Sequence, residues 1–198
     1  MSSASFALEG FAQAEITKLR TALTRLEEPN YVALLESIAE AVASSLRSGN
    51  KIMFCGNGGS AADSQHLAAE LVGRQNYNRA PAAGLALTVD TSALTAIGND
   101  YGFENVFSRQ VEALGNRGDV LFGISTSGCS PNVVNALKVA RTAGIHTIAF
   151  TGDNPNEMIG ADLVLAVPAP GTAQIQELHL TCGHIVLALV EQMLFPRP

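Results

Sequence analysis

The stretch that decides the fold of this chain is GNGGSAADSQHLAAELVGR, residues 56–74. A short apolar run at residues 51–55 leads into it and predicts a β-strand that ends in the glycine-rich turn. The residues after the turn predict a helix, on which His66 and Glu70 lie four positions apart with their side chains on one face. A donor-rich turn beside a His/Glu pair is what an enzyme acting on a small charged molecule requires.

The same strand–turn–helix unit recurs along the chain. Further short apolar runs lie at residues 84–89, 119–124, 146–151 and 162–167, with helix-like segments between most of them. Repeated strand–helix units predict a parallel sheet that is covered by helices on both faces. We therefore expect an α/β fold built on a doubly wound, five-stranded parallel sheet.

Two helices are predicted ahead of this alternating region. Apolar residues recur at helical spacing from Leu8 to Leu26 and again from Leu35 to Leu46, with a break near Pro29. The length of 198 residues favours a single domain. We expect one domain over residues 1–198, in which residues 1–48 form an N-terminal helical extension.

Composition narrows the possible partners. The net charge is −6 and no Lys/Arg cluster exceeds two residues, which argues against nucleic acid because such partners need a basic footprint. The uncharged stretch at residues 178–190 is too short to cross a bilayer, and the N-terminal segment lacks a basic signal-peptide region. Cys55, Cys129 and Cys182 form no disulfide or metal motif, which indicates reduced thiols in a cytosolic protein.

The final segment, residues 172–195, predicts the longest helix, with apolar residues around most of its circumference. Such a helix is buried, and the charged fraction of only 15% indicates burial against other subunits. Gln176 and His184 form a polar column on it, roughly 80° apart around the axis. A lone helical histidine is more often packed than catalytic, but buried polar groups need partners. The column therefore raises the hypothesis that Glu70 and His184 of one site come from different chains.

Metal binding is one way to satisfy these polar groups. The residues His66, Glu70, Gln176 and His184 can partner one another or hold an ion. Two imidazoles and a carboxylate suit Zn²⁺, whereas glutamine is an uncommon ligand of this ion. Both alternatives remain open from the spacing alone.

A second loop, rich in hydroxyl groups, follows the run at 119–124. Ser125, Thr126, Ser127 and Ser130 place four hydroxyls within six residues. Ser130 is predicted to be the N-cap of the next helix and Pro131 its first residue, but capping accounts for Ser130 alone. Hydroxyl and N–H groups at a helix N-terminus favour a phosphate site. Because loops at the carboxyl ends of parallel strands gather around one crevice, both loops should line it.

The remaining polar features are less specific. The turn at residues 56–60 resembles a dinucleotide-binding loop only loosely, because Ala61 stands where a third glycine is required. A tight turn without a ligand is an equal alternative. Residues 99–102 predict a polar turn that either adds contacts to the crevice or serves only as a turn. His146 begins a predicted strand and is assigned a structural role.

Several separate segments resemble the sugar isomerase (SIS) fold of bacterial phosphoheptose isomerases. They are residues 55–63, 65–66, 70–74, 96–103, 107–111, 123–128, 175–179 and 184. The resemblance implies a flavodoxin-like three-layer sandwich, a cytoplasmic homotetramer and one Zn²⁺ per subunit. It also implies conversion of sedoheptulose 7-phosphate to D-glycero-D-manno-heptose 7-phosphate, the first step of ADP- or GDP-heptose biosynthesis for lipopolysaccharide core or other surface glycans.

The same resemblance implies roles for individual residues. Glu70 matches the catalytic base of the family and His184 the catalytic acid. The substrate positions match Asn57, Gly58, Gly59, Glu70, Asn99, Asp100, Ser125, Thr126, Ser127, Ser130 and Gln176. The metal positions match His66, Glu70, Gln176 and His184. Isomerisation through an enediol needs a carboxylate base and an acid beside the carbonyl group, so the residue types agree with the chemistry.

Two alternatives belong to other functional classes. A non-catalytic SIS protein, either a phosphosugar-sensing regulator or a replication-initiator-binding protein, would lack the acid/base pair of Glu70 and His184. An isomerase for a ketose of another length would keep it. A departure from the family lies at residues 153–157, where relatives carry a glycine-rich loop; we expect a surface loop without catalytic consequence. Cys129 has no activating base among its neighbours and is assigned no role.

Overall fold

The computed structural model describes residues 10–197, and a five-stranded sheet runs through the middle of this part of the chain. The strands are β1 Ile52–Gly56, β2 Gly84–Ala86, β3 Val120–Ser125, β4 His146–Thr151 and β5 Leu163–Ala166. Their order is β2-β1-β3-β4-β5, and every neighbouring pair is parallel. The predicted sheet is confirmed. The strand order reverses between β1 and β3, so a crevice forms outside the carboxyl ends of these two strands.

Seven α-helices accompany the sheet in the described residues. They are α1 Phe11–Leu26, α2 Pro29–Arg47, α3 Gly59–Val72, α4 Thr91–Tyr101, α5 Ser108–Leu114, α6 Pro131–Thr142 and α7 Thr172–Leu194. The predicted break near Pro29 is the start of α2, where proline fits because the first helical N–H has no intrahelical partner. Leu8, part of the first predicted helix, lies outside the described residues. No helix between residues 10 and 197 combines the length and apolarity needed to span a membrane.

The helices form two layers because the strands are apolar on both faces. Phe54 points to a core that includes Leu67 of α3 and Leu178 of α7, together with residues of α1 and α2. Its neighbour Met53 points to the opposite core, which contains Leu137 of α6 and residues of α5. Side chains of α4 pack against this second core. The three-layer sandwich is therefore confirmed, while the division into a domain and an extension at residues 1–48 stays a prediction.

Local chemistry also explains where one prediction is wrong. The residues predicted as a polar turn at 99–102 form the last turn of α4, which ends at Gly102 with φ 87°. Asp90 caps the start of this helix by accepting a hydrogen bond from the Ala93 N–H at 2.9 Å. With its start capped, α4 continues through Asn99 and Asp100 until glycine provides the left-handed conformation that ends it.

The cysteines are unpaired, as predicted. Cys55 and Cys182 are buried and Cys129 is exposed. Desolvation raises the pKa of the Cys55 thiol and that of the Cys182 thiol to about 12. Neither buried thiol is therefore a nucleophile at neutral pH.

Candidate active site

The glycine turn between β1 and α3 lies at the switch point of the sheet. Gly58 has φ 56°, a conformation that side chains with a Cβ rarely adopt. A Cβ on Gly59 would collide with the side-chain amide of Gln176, which comes from α7. Gly58 and Gly59, two predicted substrate positions, are thus glycines for steric reasons. The turn also contacts Gln176, a third predicted position.

His66 and Glu70 of α3 meet His184 of α7 beside this turn. The two imidazoles approach with their Nε2 atoms 2.7 Å apart, and His66 Nε2 lies 3.4 Å from Glu70 Oε1. One ligand atom from each of the three side chains lies within 4.8 Å of the others. His66 is exposed, and the other two are partly exposed. The structure therefore brings the predicted acid/base pair together at a place that a small molecule can reach.

The donor set of this cluster fits a metal ion. When two imidazole nitrogens face each other, either one carries a proton and donates it, or both turn lone pairs towards a cation. Two histidine nitrogens and a carboxylate oxygen form a donor set that Zn²⁺ prefers. Within the described residues, Gln176 has no hydrogen bond to this cluster, and its place is known from its contact with the glycine turn.

Asp63 adds a further acidic group one turn before His66 on α3. One of its carboxylate oxygens is buried and has no hydrogen-bond partner in the part of the chain that the structure describes. Desolvation raises the pKa of Asp63, although the charge of His66 opposes this shift. Burial thus favours the neutral carboxyl, and Asp63 is not part of the cluster of His66, Glu70 and His184.

Glu70 and His184 of one chain already lie in one cluster, so this pair does not need a second subunit; the sharing of the site between subunits stays a prediction. The two helices lie side by side in one layer of a single chain, and small residues let them approach closely. A Cβ added at Gly183 would lie 2.7 Å from Cδ2 of Leu67. Because these residues adjoin His184 and His66, the close approach of the helices at this point sets the imidazoles in contact.

The loop after β3 gathers its hydroxyls as predicted. Ser125 Oγ lies 2.9 Å from Ser130 Oγ and 3.4 Å from Ser127 Oγ. Ser130 is the N-cap of α6 and Pro131 its first residue, but the Ser130 side chain makes no capping hydrogen bond. Its hydroxyl faces the other serines instead, so capping does not explain it. Hydroxyls gathered at a helix N-terminus suit an anion such as phosphate.

Thr126 connects this loop to the next strand. Its main-chain carbonyl accepts a hydrogen bond from the Gly152 N–H at 3.2 Å. A Cβ at Gly152 would contact both this carbonyl and Ile175 of α7. The start of α7 therefore lies next to the hydroxyl-rich loop, and its later turns reach the His/Glu cluster.

Asn132 joins the two crevice loops, and sequence reasoning missed it. Its amide and that of Asn57 bond reciprocally, at 2.9 Å and 2.8 Å. Asn132 is buried, and its Oδ1 also accepts the Val133 N–H. The strand order is the feature that could have indicated this pair. Because β1 lies beside β3 with Gly56 opposite Ile124, the loops that follow the two strands are neighbours. Asn57 is therefore held in place before any ligand binds.

Asn99 and Asp100 stand apart from the other candidate residues. Both are exposed on α4, and Asn99 Nδ2 donates to Asp100 Oδ1 at 2.7 Å. Between residues 10 and 197 no hydrogen bond joins either side chain to another candidate. Their role in substrate binding stays a prediction.

Residues 153–157 contact the hydroxyl-rich loop. Asn156 begins a short 3₁₀-helix and is the residue other than glycine with a positive φ, 44°, in the described chain. Its Nδ2 donates to the main-chain carbonyl of Ser127 at 2.8 Å. The expected surface loop is confirmed, because these residues are largely exposed, and one of its side chains anchors the hydroxyl-rich loop. The absence of a catalytic consequence stays a prediction.

Comparisons with known proteins agree on one family. A family model described as SIS domain matches residues 15–152. The phosphoheptose isomerase of Akkermansia muciniphila is 56% identical over 162 residues, which cover 81% of this chain and 86% of the relative. That of Burkholderia pseudomallei is 49% identical over 183 residues, 92% of each chain.

Solved structures give the same result. The chain is similar to phosphoheptose isomerase GmhA from Neisseria gonorrhoeae with a TM-score of 0.87 and 44% identity, over 94% of this chain and 100% of the other. It is similar to a phosphoheptose isomerase from Francisella tularensis with a TM-score of 0.88 and 32% identity, over the same shares.

Proposed function

The chain belongs to the phosphoheptose isomerases of the SIS-domain family, and from this premise we propose that it converts sedoheptulose 7-phosphate to D-glycero-D-manno-heptose 7-phosphate. The observation that carries the proposal is the meeting of Glu70 and His184 in one cluster with His66. A carboxylate and an imidazole in one accessible cluster are the groups that an aldose–ketose isomerase needs. A phosphosugar-sensing or replication-initiator-binding protein would have no use for this pair.

Glu70 is the base in this mechanism. Its carboxylate takes a proton from C1 of the ketose, next to the C2 carbonyl, and an enediol forms. Return of a proton to C2 produces the aldose, whose carbonyl is at C1. His184 protonates O2 as negative charge develops there, and the proton on O1 leaves in the second half of the reaction. No redox partner is required, because the electrons only move between two adjacent carbons.

The second loop holds the phosphate in this mechanism. The hydroxyls of Ser125, Ser127 and Ser130 and the N-terminus of α6 offer donors to the anion. Asn57, held by Asn132, and the glycine turn face the sugar between the two sites. Gln176 lies where α7 meets that turn. Binding the remote phosphate orients the carbonyl end of the sugar against Glu70.

A zinc ion is part of the proposal. His66, Glu70 and His184 would hold it, with Gln176 as the fourth residue of the set. When bound, Zn²⁺ supplies Lewis-acid polarisation of a substrate oxygen. The donor chemistry of the cluster supports this assignment.

Assembly and cellular role follow from the family. We assign a cytoplasmic homotetramer that acts in the heptose branch of surface-glycan biosynthesis, including lipopolysaccharide core. The low charged fraction, 15%, supports burial of surface between subunits.

The test is a turnover assay on purified protein with sedoheptulose 7-phosphate, in which the product is identified by NMR. A six-carbon ketose phosphate is the matched comparison substrate. The proposal requires the heptulose to be converted faster than the hexulose. Conversion of the hexulose alone would assign the chain to another sugar-phosphate isomerase, and conversion of neither would favour the binding proteins.

Zinc is tested by elemental analysis of protein purified without chelator. The expected result is about one Zn²⁺ per chain, which a chelator removes with loss of activity and which added zinc restores. Protein that contains no zinc, and whose activity and melting temperature do not respond to added zinc, would contradict the metal assignment.

A further inference from the structure

A buried ion pair joins α7 to the loop that follows α3, next to the His/Glu cluster. Arg79, in the loop between α3 and β2, pairs with Glu191 of α7 at 2.9 Å between Nε and Oε1. The two side chains are 4% and 1% exposed. A buried pair is weak evidence for stability, because desolvation opposes the attraction of the charges. Its partners therefore give better evidence of its role.

The guanidinium reaches the main chain of the base. Arg79 Nη2 donates to the carbonyl oxygen of Glu70 at 2.7 Å, and Nη1 donates to that of Leu71 at 3.0 Å. Both carbonyls lie in the last turn of α3, where no intrahelical donor is available to them. Arg79 thus fixes the turn of helix from which the Glu70 side chain projects.

The same loop reaches the main chain of the acid. Gln75 Nε2 donates to the carbonyl oxygen of His184 at 3.0 Å. The N–H groups of Gln75 and Asn76 donate to the two carboxylate oxygens of Glu191, at 3.2 Å and 3.0 Å. Desolvation favours the neutral form of Glu191, but these N–H groups and Arg79 hold its pKa below the usual value. Glu191 therefore remains a charged anchor for the loop.

We propose that Gln75, Arg79 and Glu191 are positioning residues that set Glu70 against His184. This inference rests on the proposed function, since it concerns the same acid/base pair. One loop bonds to the carbonyl groups of both residues and to a carboxylate two turns further along α7. Proton transfer demands a geometry held within about 0.5 Å, so a fixed spacing between the two helices is a catalytic requirement. The loop supplies that spacing without touching substrate.

The chain offers a matched control for a purely structural pair. Lys51 and Asp119 pair at 2.5 Å at the opposite end of the strands, and Asp119 is 1% exposed. Asp119→Asn removes a buried charge of the same kind but lies at the amino ends of β1 and β3. It should lower stability and leave turnover within about twofold, because it does not adjoin the site.

The experiment compares the conservative variants Arg79→Lys, Glu191→Gln and Gln75→Met with Asp119→Asn. At a temperature where all are folded, the first three should lower kcat by about tenfold to a hundredfold and change KM less than about threefold. Gln75→Met leaves the ion pair intact, so it tests positioning even if the charge variants do not fold. If kcat stays within about twofold in Gln75→Met and in every charge variant that folds, while melting temperatures fall as in Asp119→Asn, the residues are only structural.

A second readout does not depend on turnover. Crystal structures of wild type and Gln75→Met should show a changed separation of the Glu70 and His184 side chains, whereas that of Asp119→Asn should not. Wild-type protein that leaves the heptulose unconverted would refute the proposed function, and the side-chain separations would then decide the positioning role by themselves. Unchanged separations in Gln75→Met would overturn it.

Discussion

The two ends of the sheet are both polar, but their polar groups are arranged differently. At the amino end, Asp119 accepts hydrogen bonds from the Lys51 ammonium, the Lys51 N–H and the Asn116 N–H. Asp162 there accepts from both the N–H and the hydroxyl of Thr147, each at 2.8 Å. Donors thus meet acceptors around these two carboxylates.

At the carboxyl end, similar groups face each other. Two imidazoles meet at 2.7 Å beside a carboxylate, and the hydroxyls of Ser127 and Ser130 lie within 3.4 Å of Ser125 Oγ. Such clusters leave hydrogen-bonding capacity for a ligand, at some cost to stability. In this chain, complementary pairing therefore characterises the amino end of the sheet, and clustering of like groups characterises the proposed site.

The largest expected effect tests the carboxyl end. Glu70→Gln keeps the shape of the side chain and removes the proton acceptor, so turnover should fall by about two to four orders of magnitude. Substrate should still bind. Kinetics with sedoheptulose 7-phosphate measure turnover, and calorimetry measures substrate binding. Activity near that of wild type would show that Glu70 is not the base.

The next effect concerns the hydroxyl-rich loop. Ser127→Ala combined with Ser130→Ala should weaken the binding of sugar phosphate by a few kcal/mol, since each hydrogen bond to a charged group contributes roughly 1.5–3 kcal/mol. Calorimetry with sedoheptulose 7-phosphate gives the affinity. Dephosphorylated sedoheptulose is the control ligand and should be little affected. Equal losses for both ligands would refute the phosphate assignment.

Much of this arrangement could be predicted from the sequence, because it depends on local signals. Apolar runs and helical spacing gave the sheet and layers, and the offset of four between His66 and Glu70 gave their shared face. Ser130 and Pro131 gave the start of α6. Each of these signals depends only on residues that are close together in the sequence.

The remaining features depend on contacts between distant segments. The Asn57–Asn132 pair spans 75 positions, and the bond from Gln75 to His184 spans 109. The hydrophobic periodicity of the sequence contains no information about such contacts. The meeting of Glu70 and His184 within one chain is of the same kind, since it depends on the packing of α3 on α7.

A smaller effect tests the amino end. Asp119→Asn leaves the Lys51 ammonium without its buried partner and should lower the free energy of unfolding by about 3 kcal/mol. Turnover should stay within about twofold, because the groups lost there are structural. Urea unfolding at a fixed protein concentration measures the first quantity. A large loss of turnover with unchanged stability would contradict the distinction between the two ends.

The smallest expected effect concerns His179, a histidine near the proposed site that we assign a structural role. His179 lies on α7 near the functional end, yet it is fully buried, and its Nε2 lies 3.0 Å from the Thr151 carbonyl oxygen. Desolvation lowers the pKa of His179 from 6.5 to about 4, although the hydrogen bond to Thr151 opposes this shift. His179 is therefore a neutral core residue. It differs from His184 in its exposure, because the side chain of His184 is partly accessible to solvent.

The consequence is a stability that depends on pH. Because its pKa is lower in the folded chain, the unfolded chain binds more protons between pH 6.5 and about 4. Stability is thus full above this window and is lost as the pH falls, by about 2 kcal/mol at pH 5. His179→Gln should flatten the dependence of the unfolding free energy on pH, whereas Cys182→Ser, a buried change on the same helix, should lower it equally at each pH. Equal slopes in wild type and His179→Gln would show that burial of His179 does not govern acid stability.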